Sequence, residues 1–443
     1  MHQQDLKVTM IPGEPPAASS RVRRVRTPWQ RDVLTFLMVL GPGLIVMEAD
    51  NDAGAVATYV QAGAQYGTHL LWVLLVLLPM TYYIQEMVAR LGIATGQGHA
   101  ALIYRRFGKW WGLFSLLDLQ VVNFLTLVTE FAAIALASAT LGIPPRLAVP
   151  VAALGLIALV LTGSYRRWER VVLGLCLLDL TWVGLTVVCH PHGGPMLHDA
   201  LVPHVPPGGL TTGLVFLVIA IVGTTIAPWQ LFFQQSCVVD KRLRFADLPW
   251  ARLDTLLGAC FTIGIAGCMM LVGDAAYRHQ LPFTDPAAMA QALGPLVGPW
   301  VQHGLPWLMV NAAVLGTTAI SLSSAWAYGE VKGWPHSLHT GLREAPGFYT
   351  IYSLCVAAAA GVVLLPGVPL QVVMLGVQAL AGVMLPSAVI FLQLLLNDHD
   401  LLGEQWVNTR WNNVVNWTII VVLFALSLVL ALQVLVPHVF PEV

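Results

Sequence analysis

Long apolar stretches recur along the chain, and short polar or charged segments separate them. Because about 20 predominantly apolar residues cross the hydrocarbon core of a bilayer as a helix, each stretch predicts a membrane span. The pattern predicts eleven spans, near residues 33–60, 67–90, 112–140, 147–163, 169–189, 210–237, 252–273, 304–328, 347–366, 369–396 and 413–436. We therefore expect an all-α polytopic membrane protein.

The composition agrees with this expectation. Of the 443 residues, 57% are hydrophobic and only 10% are charged, and the mean hydropathy is +0.73. These values are typical of membrane proteins rather than of large soluble enzymes. The lipid bilayer is the expected environment, and we expect neither a nucleic-acid partner nor an obligate protein partner.

Charged residues interrupt the first span, in the run Met-Glu-Ala-Asp-Asn-Asp-Ala-Gly-Ala at positions 47–55. The carboxylates of Glu48, Asp50 and Asp52 would lie at bilayer depth, where they require a cation, a proton or a water-filled cavity. Gly54 favours a break in the helix, and unwound backbone at that depth survives only where it lines a cavity. The run therefore predicts half of an ion-binding site.

The sixth span has a second interruption, in the sequence Gly-Thr-Thr-Ile-Ala-Pro at 223–228. Pro228 cannot donate the helical hydrogen bond and clashes with the preceding turn. Spans 1 and 6 are the first members of two successive sets of five. Interrupted helices in corresponding positions of two halves predict an inverted-repeat transporter whose site lies where the breaks face each other.

The basic residues test the number of spans. With a cytoplasmic N-terminus, all of the 22 Lys and Arg residues except Arg146 and Arg278 fall in the tail or in inside loops. This asymmetry is the positive-inside pattern. We expect an integral protein of the cell membrane with the N-terminus inside and the C-terminus outside. The predicted parts are a cytoplasmic tail, two five-helix repeats and an eleventh helix, at 1–32, 33–190, 210–397 and 410–437.

Histidines concentrate in one predicted external segment. Residues 189–209 contain His190, His192, His198 and His204 together with five prolines. An ordered external loop is the simplest interpretation, and weak metal capture is the alternative.

Four sequence segments resemble the Nramp family of divalent-metal transporters. They are Gly-Pro-Gly at 41–43, the element Asp-Ala-Gly-Ala-Val-Ala-Thr-Tyr at 52–59 with its continuation to 67, Gly-Thr-Thr-Ile-Ala-Pro at 223–228, and Gln-Val-Val-Met-Leu-Gly-Val-Gln at 371–378. The resemblance implies a LeuT-like fold with two inverted five-helix repeats, broken helices 1 and 6, and one extra helix. It also implies transport of ions such as manganese and iron, usually with protons. The metal would be cargo, so no cofactor is expected.

The resemblance implies a metal site, and this chain departs from its usual ligands. The family motif Asp-Pro-Gly-Asn here reads Asp52-Ala-Gly-Ala55, so the Asn ligand is absent. The motif Met-Pro-His reads Ala227-Pro-Trp, without the thioether and the imidazole. The backbone carbonyls of Ala49 and Thr224 correspond to metal-binding carbonyls of the family.

Three further side chains are candidates at this site. Gln378 corresponds to the family's glutamine ligand in span 10. Glu48 would line the vestibule or bind an outer water, with Asp50 as the competing candidate for that role. Gln230 and Gln234 lie one helical turn apart and would either contact waters of the ion or cross-link helices.

The predicted third span bears on proton coupling. Glu130 and Asp118 are membrane-embedded carboxylates, but Asn123 and Ala133 occupy positions where the resemblance implies further carboxylates. A complete proton route is therefore not expected, and the roles of Asp50, Asp118 and Glu130 stay open.

The substitutions at these ligand positions all favour harder metal ions. A thioether favours softer transition ions, whereas carboxylate, carbonyl and water suit magnesium and manganese. Magnesium also keeps several waters and uses one or two carboxylates. The pattern resembles the Nramp-related magnesium transporters, and we expect transport of partly hydrated Mg²⁺, and also Mn²⁺, by alternating access without obligatory proton coupling.

Three other functions are alternatives to this expectation. A proton-coupled manganese or iron importer is the main alternative. A sodium-coupled amino-acid carrier would have an uncharged, glycine-rich first break. An enzyme is not expected, because the chain has no paired nucleophile and base, no His-Glu-x-x-His motif and no phosphate-binding loop.

Overall fold

The computed structural model describes residues 39–435, so the predicted tail at 1–32 lies outside the described residues. In this part of the chain every regular element is helical. The helices are α1 (Pro42–Ala49), α2 (Ala53–Tyr66), α3 (Leu71–Thr95), α4 (His99–Phe107), α5 (Lys109–Thr140), α6 (Pro145–Leu161), α7 (Tyr165–Leu178), α8 (Thr181–Val188), α9 (Gly193–Leu201), α10 (Thr212–Thr225), α11 (Pro228–Asp240), α12 (Leu248–Arg278), α13 (Pro286–Val297), α14 (Pro299–Lys332), α15 (Pro346–Val363), α16 (Leu370–Leu395), α17 (His399–Leu402) and α18 (Arg410–Leu435).

Nine helical stretches of the described chain are long and apolar enough to cross a membrane. They are α3, α5, α7 with α8, α10 with α11, α12 with the preceding short turn, α14, α15, α16 and α18. Helix α6 is apolar but has only 17 residues, and α1 with α2 forms the interrupted first span. These elements correspond one to one to the eleven predicted spans, which confirms the all-α polytopic architecture.

The first predicted break is present between α1 and α2. Helix α1 ends at Ala49, and α2 begins at Ala53 with Asp52 as its N-cap. The Asp52 side chain accepts a hydrogen bond from the N–H of Ala55 at 2.8 Å, which satisfies one of the unpaired donors of the first turn.

The second predicted break separates α10 from α11. Helix α10 ends at Thr225, Ile226 and Ala227 are extended, and Pro228 is the first residue of α11. Proline disfavours helical backbone in the residue before it and fits the first helical position, so the break falls directly ahead of Pro228.

The broken first span is buried within the described part of the chain. Nearly every residue of α1 and α2 is buried. Gly63 of α2 faces Gly273 of α12, and a Cβ atom on either glycine would overlap backbone of the other helix. Small residues therefore allow these two helices to pack backbone against backbone.

The outer helices expose apolar side chains. Examples are Leu177 in α7, Leu354 in α15 and Val421 in α18, which are each more than half exposed. These side chains would face lipid.

Several elements differ from the sequence-based expectations. The fifth span is discontinuous, because α7 ends at Leu178 and α8 begins at Thr181. The segment at 189–209 contains helix α9 in addition to loop, and α4 and α13 are further short helices outside the predicted spans. The limits of the repeats at 33–190 and 210–397 and of the last part at 410–437 stay predictions.

Candidate metal site between the two helix breaks

Asp52 and Ala49 occupy the two helix ends at the first break. The N-terminus of α2 carries partial positive charge and stabilises the Asp52 carboxylate. Ala49 is the last residue of α1, where the final carbonyl groups have no partner within the helix and carry partial negative charge. A cation between the two helix ends would meet carboxylate and carbonyl oxygens.

The two breaks face each other, as the sequence predicted. The Asp50 carboxylate contacts the side-chain amide of Gln230 in α11, and Gln230 in turn accepts a hydrogen bond from Gln85 of α3 at 2.7 Å. The hydroxyls of Tyr59 in α2 and Thr225 in α10 are 2.7 Å apart. Gln230 therefore cross-links the two breaks in this structure.

Gln378 of α16 lies at the first break. Its amide Nε2 is 3.5 Å from Oδ1 of Asp52. The amide occupies the space beside Gly54, where a Cβ atom would overlap it. On the other side, a Cβ atom at Gly223 of α10 would overlap the backbone of α16 near Gly382. The glycine in each broken helix thus allows α16 to bring Gln378 to Asp52.

Glu130 of α5 also reaches the first break. Its Oε2 accepts a hydrogen bond from the N–H of Ala53 at 3.1 Å. A Cβ atom at Gly316 of α14 would lie 2.8 Å from Cδ of Glu130 and 2.9 Å from Cβ of Asp52. The role of Glu130 and the importance of Gly316 could not be predicted, because nothing local in the sequence links α5 and α14 to the break.

Glu48 has a different position. Its Oε1 accepts a hydrogen bond from Asn51 at 2.8 Å, and Asn51 also contacts the carbonyl of Thr262 at 3.3 Å. Its second oxygen is buried and has no hydrogen-bond partner among the described residues. Asn51 therefore links Glu48 to the backbone of α12.

The second break contributes backbone and a hydroxyl. Thr224 is buried near the end of α10, and its hydroxyl has no hydrogen-bond partner among residues 39–435. Ala227 is the N-cap of α11 and is 3% exposed. Neither Ala227 nor Ala55 has a side chain that can bind a metal.

The atoms at the breaks that can bind a metal are oxygens, and several of them have no hydrogen-bond partner among the described residues. Besides Glu48 and Thr224, one carboxylate oxygen each of Asp50 and Glu130 is buried without a hydrogen-bond partner in the described chain. The ion pairs of the described residues involve other carboxylates, such as those of Glu86, Glu169 and Asp274. Buried carboxylates without a counter-charge are costly, so a bound cation fits this site.

Some polar residues near the site have structural partners. Gln234 donates to the Thr255 hydroxyl at 3.1 Å, so it cross-links α11 and α12. In α5, Asn123 donates to Ser324 at 2.9 Å, and Asp118 accepts from Ser387 of α16.

Comparison with solved structures identifies the fold. The manganese transporter of Eremococcus coleocola, in complex with an aromatic bis-isothiourea compound, is 19% identical with a TM-score of 0.73, over 91% of this chain and 88% of that one. MhsT in complex with L-phenylalanine is 14% identical with a TM-score of 0.57, over 90% and 98% of the two chains. The chain has the LeuT-like fold with broken helices 1 and 6.

Sequence comparison identifies the family. The chain matches the Nramp family, described as natural resistance-associated macrophage protein-like, over residues 43–433. The divalent metal cation transporter MntH of Ralstonia nicotianae is 29% identical over 422 residues, which are 90% of this chain and 92% of the relative. MntH of Xanthomonas campestris pv. campestris is 27% identical over 416 residues, 89% of this chain and 90% of the relative. The chain belongs to the Nramp family, and it is a membrane transporter rather than an enzyme.

Proposed function

We propose that this protein transports divalent metal ions across the cell membrane, with Mg²⁺ as the preferred ion and Mn²⁺ as a second substrate. The observation that carries the proposal is the oxygen-only set of donors around Asp52, where Ala55 and Ala227 stand at positions that supply ligands elsewhere in the family. Relatives named as divalent metal cation transporters support the general function.

The donor set favours hard ions. Asp52 supplies a carboxylate, Ala49 and Thr224 supply backbone carbonyls, and Gln378 supplies an amide oxygen. Carboxylate, carbonyl and water oxygens suit Mg²⁺ and Mn²⁺, while thioether ligands favour softer ions. The methyl groups of Ala55 and Ala227 bind no metal, so water fills the remaining positions. Magnesium loses its waters reluctantly, so it tolerates such a site well.

Glu48 and Gln230 act outside the direct ligand set in this proposal. The unpartnered oxygen of Glu48 attracts the ion toward the break and binds one of its waters. Gln230 holds Asp50 in this structure. When the two breaks separate, Gln230 is released and contacts a water of the ion.

Transport proceeds by alternating access around the two breaks. The site residues Asp52, Thr224, Ala227 and Gln378 are each no more than 3% exposed, so the structure corresponds to an enclosed site. In inverted-repeat transporters, one group of helices rocks against the other around a site near the bilayer midplane. The links between α1 and α11 and between α2 and α10 would rearrange in each cycle.

Proton movement is not obligatory in this proposal. Glu130 is engaged by the N–H of Ala53, and Asn123 replaces a carboxylate with an amide that bonds Ser324. The second candidate function is a proton-coupled manganese or iron importer. The free carboxylate oxygen of Glu130 beside Asp52 favours it, because that atom can hold a proton next to the metal.

The orientation follows from the basic residues. With the N-terminus in the cytoplasm, the ion pairs of Glu86 with Arg90 and Arg252, and of Lys241 with Glu169, lie on the inner side. Such an orientation satisfies the positive-inside pattern, and it places the C-terminus outside.

Uptake into proteoliposomes that contain a pH-sensitive dye separates the two candidate functions. We expect saturable uptake of Mg²⁺ and Mn²⁺ at constant internal pH. Internal acidification that accompanies metal uptake, together with transport of Fe²⁺ in preference to Mg²⁺, would support the proton-coupled importer instead.

A further inference from the structure

Three potential metal ligands meet beyond the end of α2 that lies opposite Asp52. His69 lies in the turn between α2 and α3, Asp199 lies near the end of α9, and His204 follows α9. One ligand atom from each residue lies within 4.8 Å of the others. His69 Nδ1 is 2.9 Å from His204 Nε2 and 3.5 Å from Asp199 Oδ2, while His204 Nε2 is 3.6 Å from Asp199 Oδ1.

Neighbouring hydrogen bonds orient two of these ligands. Nδ1 of His204 is 2.8 Å from the carbonyl oxygen of Val202. Because a carbonyl can only accept, Nδ1 carries the hydrogen, and Nε2 of the neutral ring presents its lone pair to His69 and Asp199. The Thr68 hydroxyl donates to Asp199 Oδ2 at 2.5 Å. Metal-bound histidines and carboxylates usually have such supporting partners.

Backbone geometry brings Thr68 and His69 to this place. Helix α2 ends at Tyr66, and its C-cap Gly67 has a φ of 60°, a backbone conformation that favours glycine. The indole N–H of Trp72 donates to the backbone carbonyl of His204 at 3.1 Å, which fixes the segment after α9 against the start of α3.

The cluster is both charged and accessible. Burial acts against ionisation of Asp199, but hydrogen bonds from Thr68 and His198 and the adjacent imidazoles outweigh it and lower the pKa of this carboxyl. The side chains of His69 and His204 are 27% and 26% exposed. His69 also lines a cavity of about 600 Å³ with Tyr66 and Tyr277, so ions can approach from solution.

We infer that His69, Asp199 and His204 form a second metal site, which binds a transition ion such as Zn²⁺. Two imidazole nitrogens and one carboxylate oxygen are a common set of zinc ligands, with water completing the coordination. Mg²⁺ takes oxygen ligands, so it would not compete effectively at this site. This cluster therefore favours transition ions that accept nitrogen ligands, whereas the oxygen ligands around Asp52 favour Mg²⁺ and Mn²⁺.

The position of the site suggests a regulatory effect, and this part rests on the proposed transport function. A bound ion would join the turn after α2 to the segment after α9. Asp52 is the N-cap of α2, so the ion would restrain a helix that moves during alternating access. Zn²⁺ should therefore inhibit Mg²⁺ uptake from the face on which this cluster lies.

Calorimetric titration with Zn²⁺ tests the site on the purified full-length chain in saturating Mg²⁺. The background is the Asp52→Asn variant, which disables the proposed transport site, so binding is read independently of transport. We expect one equivalent of Zn²⁺ to bind in this background and to be lost on adding His204→Ala or His69→Ala. The matched control is His190→Asn, which removes another imidazole of the same segment at a residue with φ of 49° that Asn tolerates.

Two further measurements distinguish loss of the metal site from misfolding of a variant. Thr68→Val leaves all three ligands and should weaken Zn²⁺ binding by roughly 10-fold, with an unchanged gel-filtration profile. Co²⁺ bound in place of Zn²⁺ should give visible absorption bands that disappear in His204→Ala. Unchanged Zn²⁺ affinity in folded His69→Ala and His204→Ala would overturn the inference, as would complete loss of Zn²⁺ binding on Asp52→Asn alone.

Uptake assays then test the regulation separately. In the chain with Asp52 intact, Zn²⁺ should inhibit Mg²⁺ uptake, and His204→Ala should relieve the inhibition. Equal inhibition in both chains would contradict the regulatory role. Absence of Mg²⁺ uptake in both chains would contradict the proposed transport function rather than the zinc site.

Discussion

Gln378 of α16 places its side-chain amide 3.5 Å from Asp52 at the start of α2. The two residues are 326 positions apart in the sequence, and the absence of a side chain at Gly54 makes room for the contact. The contact joins the tenth span to the broken first span at the candidate metal site.

Gly54→Ala should therefore disrupt transport without unfolding the protein. The added methyl group would overlap the Gln378 amide, and overpacking of this kind costs about 1–3 kcal/mol. If the ion-bound site bears this energy, Mg²⁺ affinity in uptake assays should fall by roughly 5- to 150-fold. Gly376→Ala is the matched control, because a Cβ atom there meets no other atom within 4 Å. Equal uptake by the two variants would contradict the role of the Gln378–Asp52 contact.

Ala227→Met should change ion selectivity. A thioether at the start of α11 would supply a soft ligand at the second break, so preference should shift from Mg²⁺ toward Mn²⁺ and Cd²⁺. A shift of roughly 10-fold in relative uptake corresponds to about 1.4 kcal/mol of differential binding. Uptake of each radiolabelled ion in competition with the others measures the shift. The control is Ala158→Met, at an exposed position of α6. Unchanged selectivity in Ala227→Met would refute the argument from ligand softness.

Glu130→Gln tests whether this carboxylate moves protons or supports the break. A glutamine keeps an oxygen that can accept the N–H of Ala53, so the geometry of the break should survive. We expect substantial Mg²⁺ uptake at constant internal pH in this variant, and loss of uptake in Glu130→Leu, which removes the acceptor. If Glu130→Gln abolishes uptake as completely as Glu130→Leu, the carboxylate charge itself is required and the proton-coupled alternative gains support.

Asp254→Ala should destabilise the first half-helix. Asp254 of α12 accepts hydrogen bonds from the N–H groups of Gly41, Gly43 and Leu44, at 3.3, 2.7 and 3.2 Å. Leaving one such buried donor unsatisfied costs about 1–3 kcal/mol, so the apparent unfolding temperature should fall clearly.

The control for that prediction is Asp285→Ala. Asp285 caps α13 through a single N–H of Ala288 at 2.9 Å, and loss of such a cap costs about 1 kcal/mol. An unfolding temperature that falls no further in Asp254→Ala than in Asp285→Ala would show that Asp254 does not hold the start of α1.

Much of the fold could be predicted because its causes are local. Each span is a contiguous apolar stretch, and Pro228 and the polar run around Asp52 interrupt two helices at the positions expected. The interruption of the fifth span at Asp179 and Leu180 has no comparable signal, since neither residue excludes a helix. Helix α9 was missed because the surrounding prolines and histidines suggested only loop.

The site was predicted less completely, because its contacts are long-range. The sequence singled out Asp52 and Gln378 and predicted that the breaks face each other. It could not establish that Gln230 bonds Asp50, or that Glu130 accepts the N–H of Ala53, since each contact depends on how distant helices pack. For the segment at 189–209 the sequence offered weak metal capture only as an alternative. It could not show that His69, in a separate turn, meets Asp199 and His204.

The most direct test of the account is Mg²⁺ flux into proteoliposomes that contain Asp52→Asn, compared with Asp179→Asn. Both substitutions replace a buried membrane aspartate by its isostere, and the asparagine at 179 keeps an oxygen for Asn311, which donates to Asp179 at 2.8 Å. The account predicts that flux falls to the level of protein-free liposomes in Asp52→Asn and persists in Asp179→Asn. Undiminished flux in folded Asp52→Asn would contradict it.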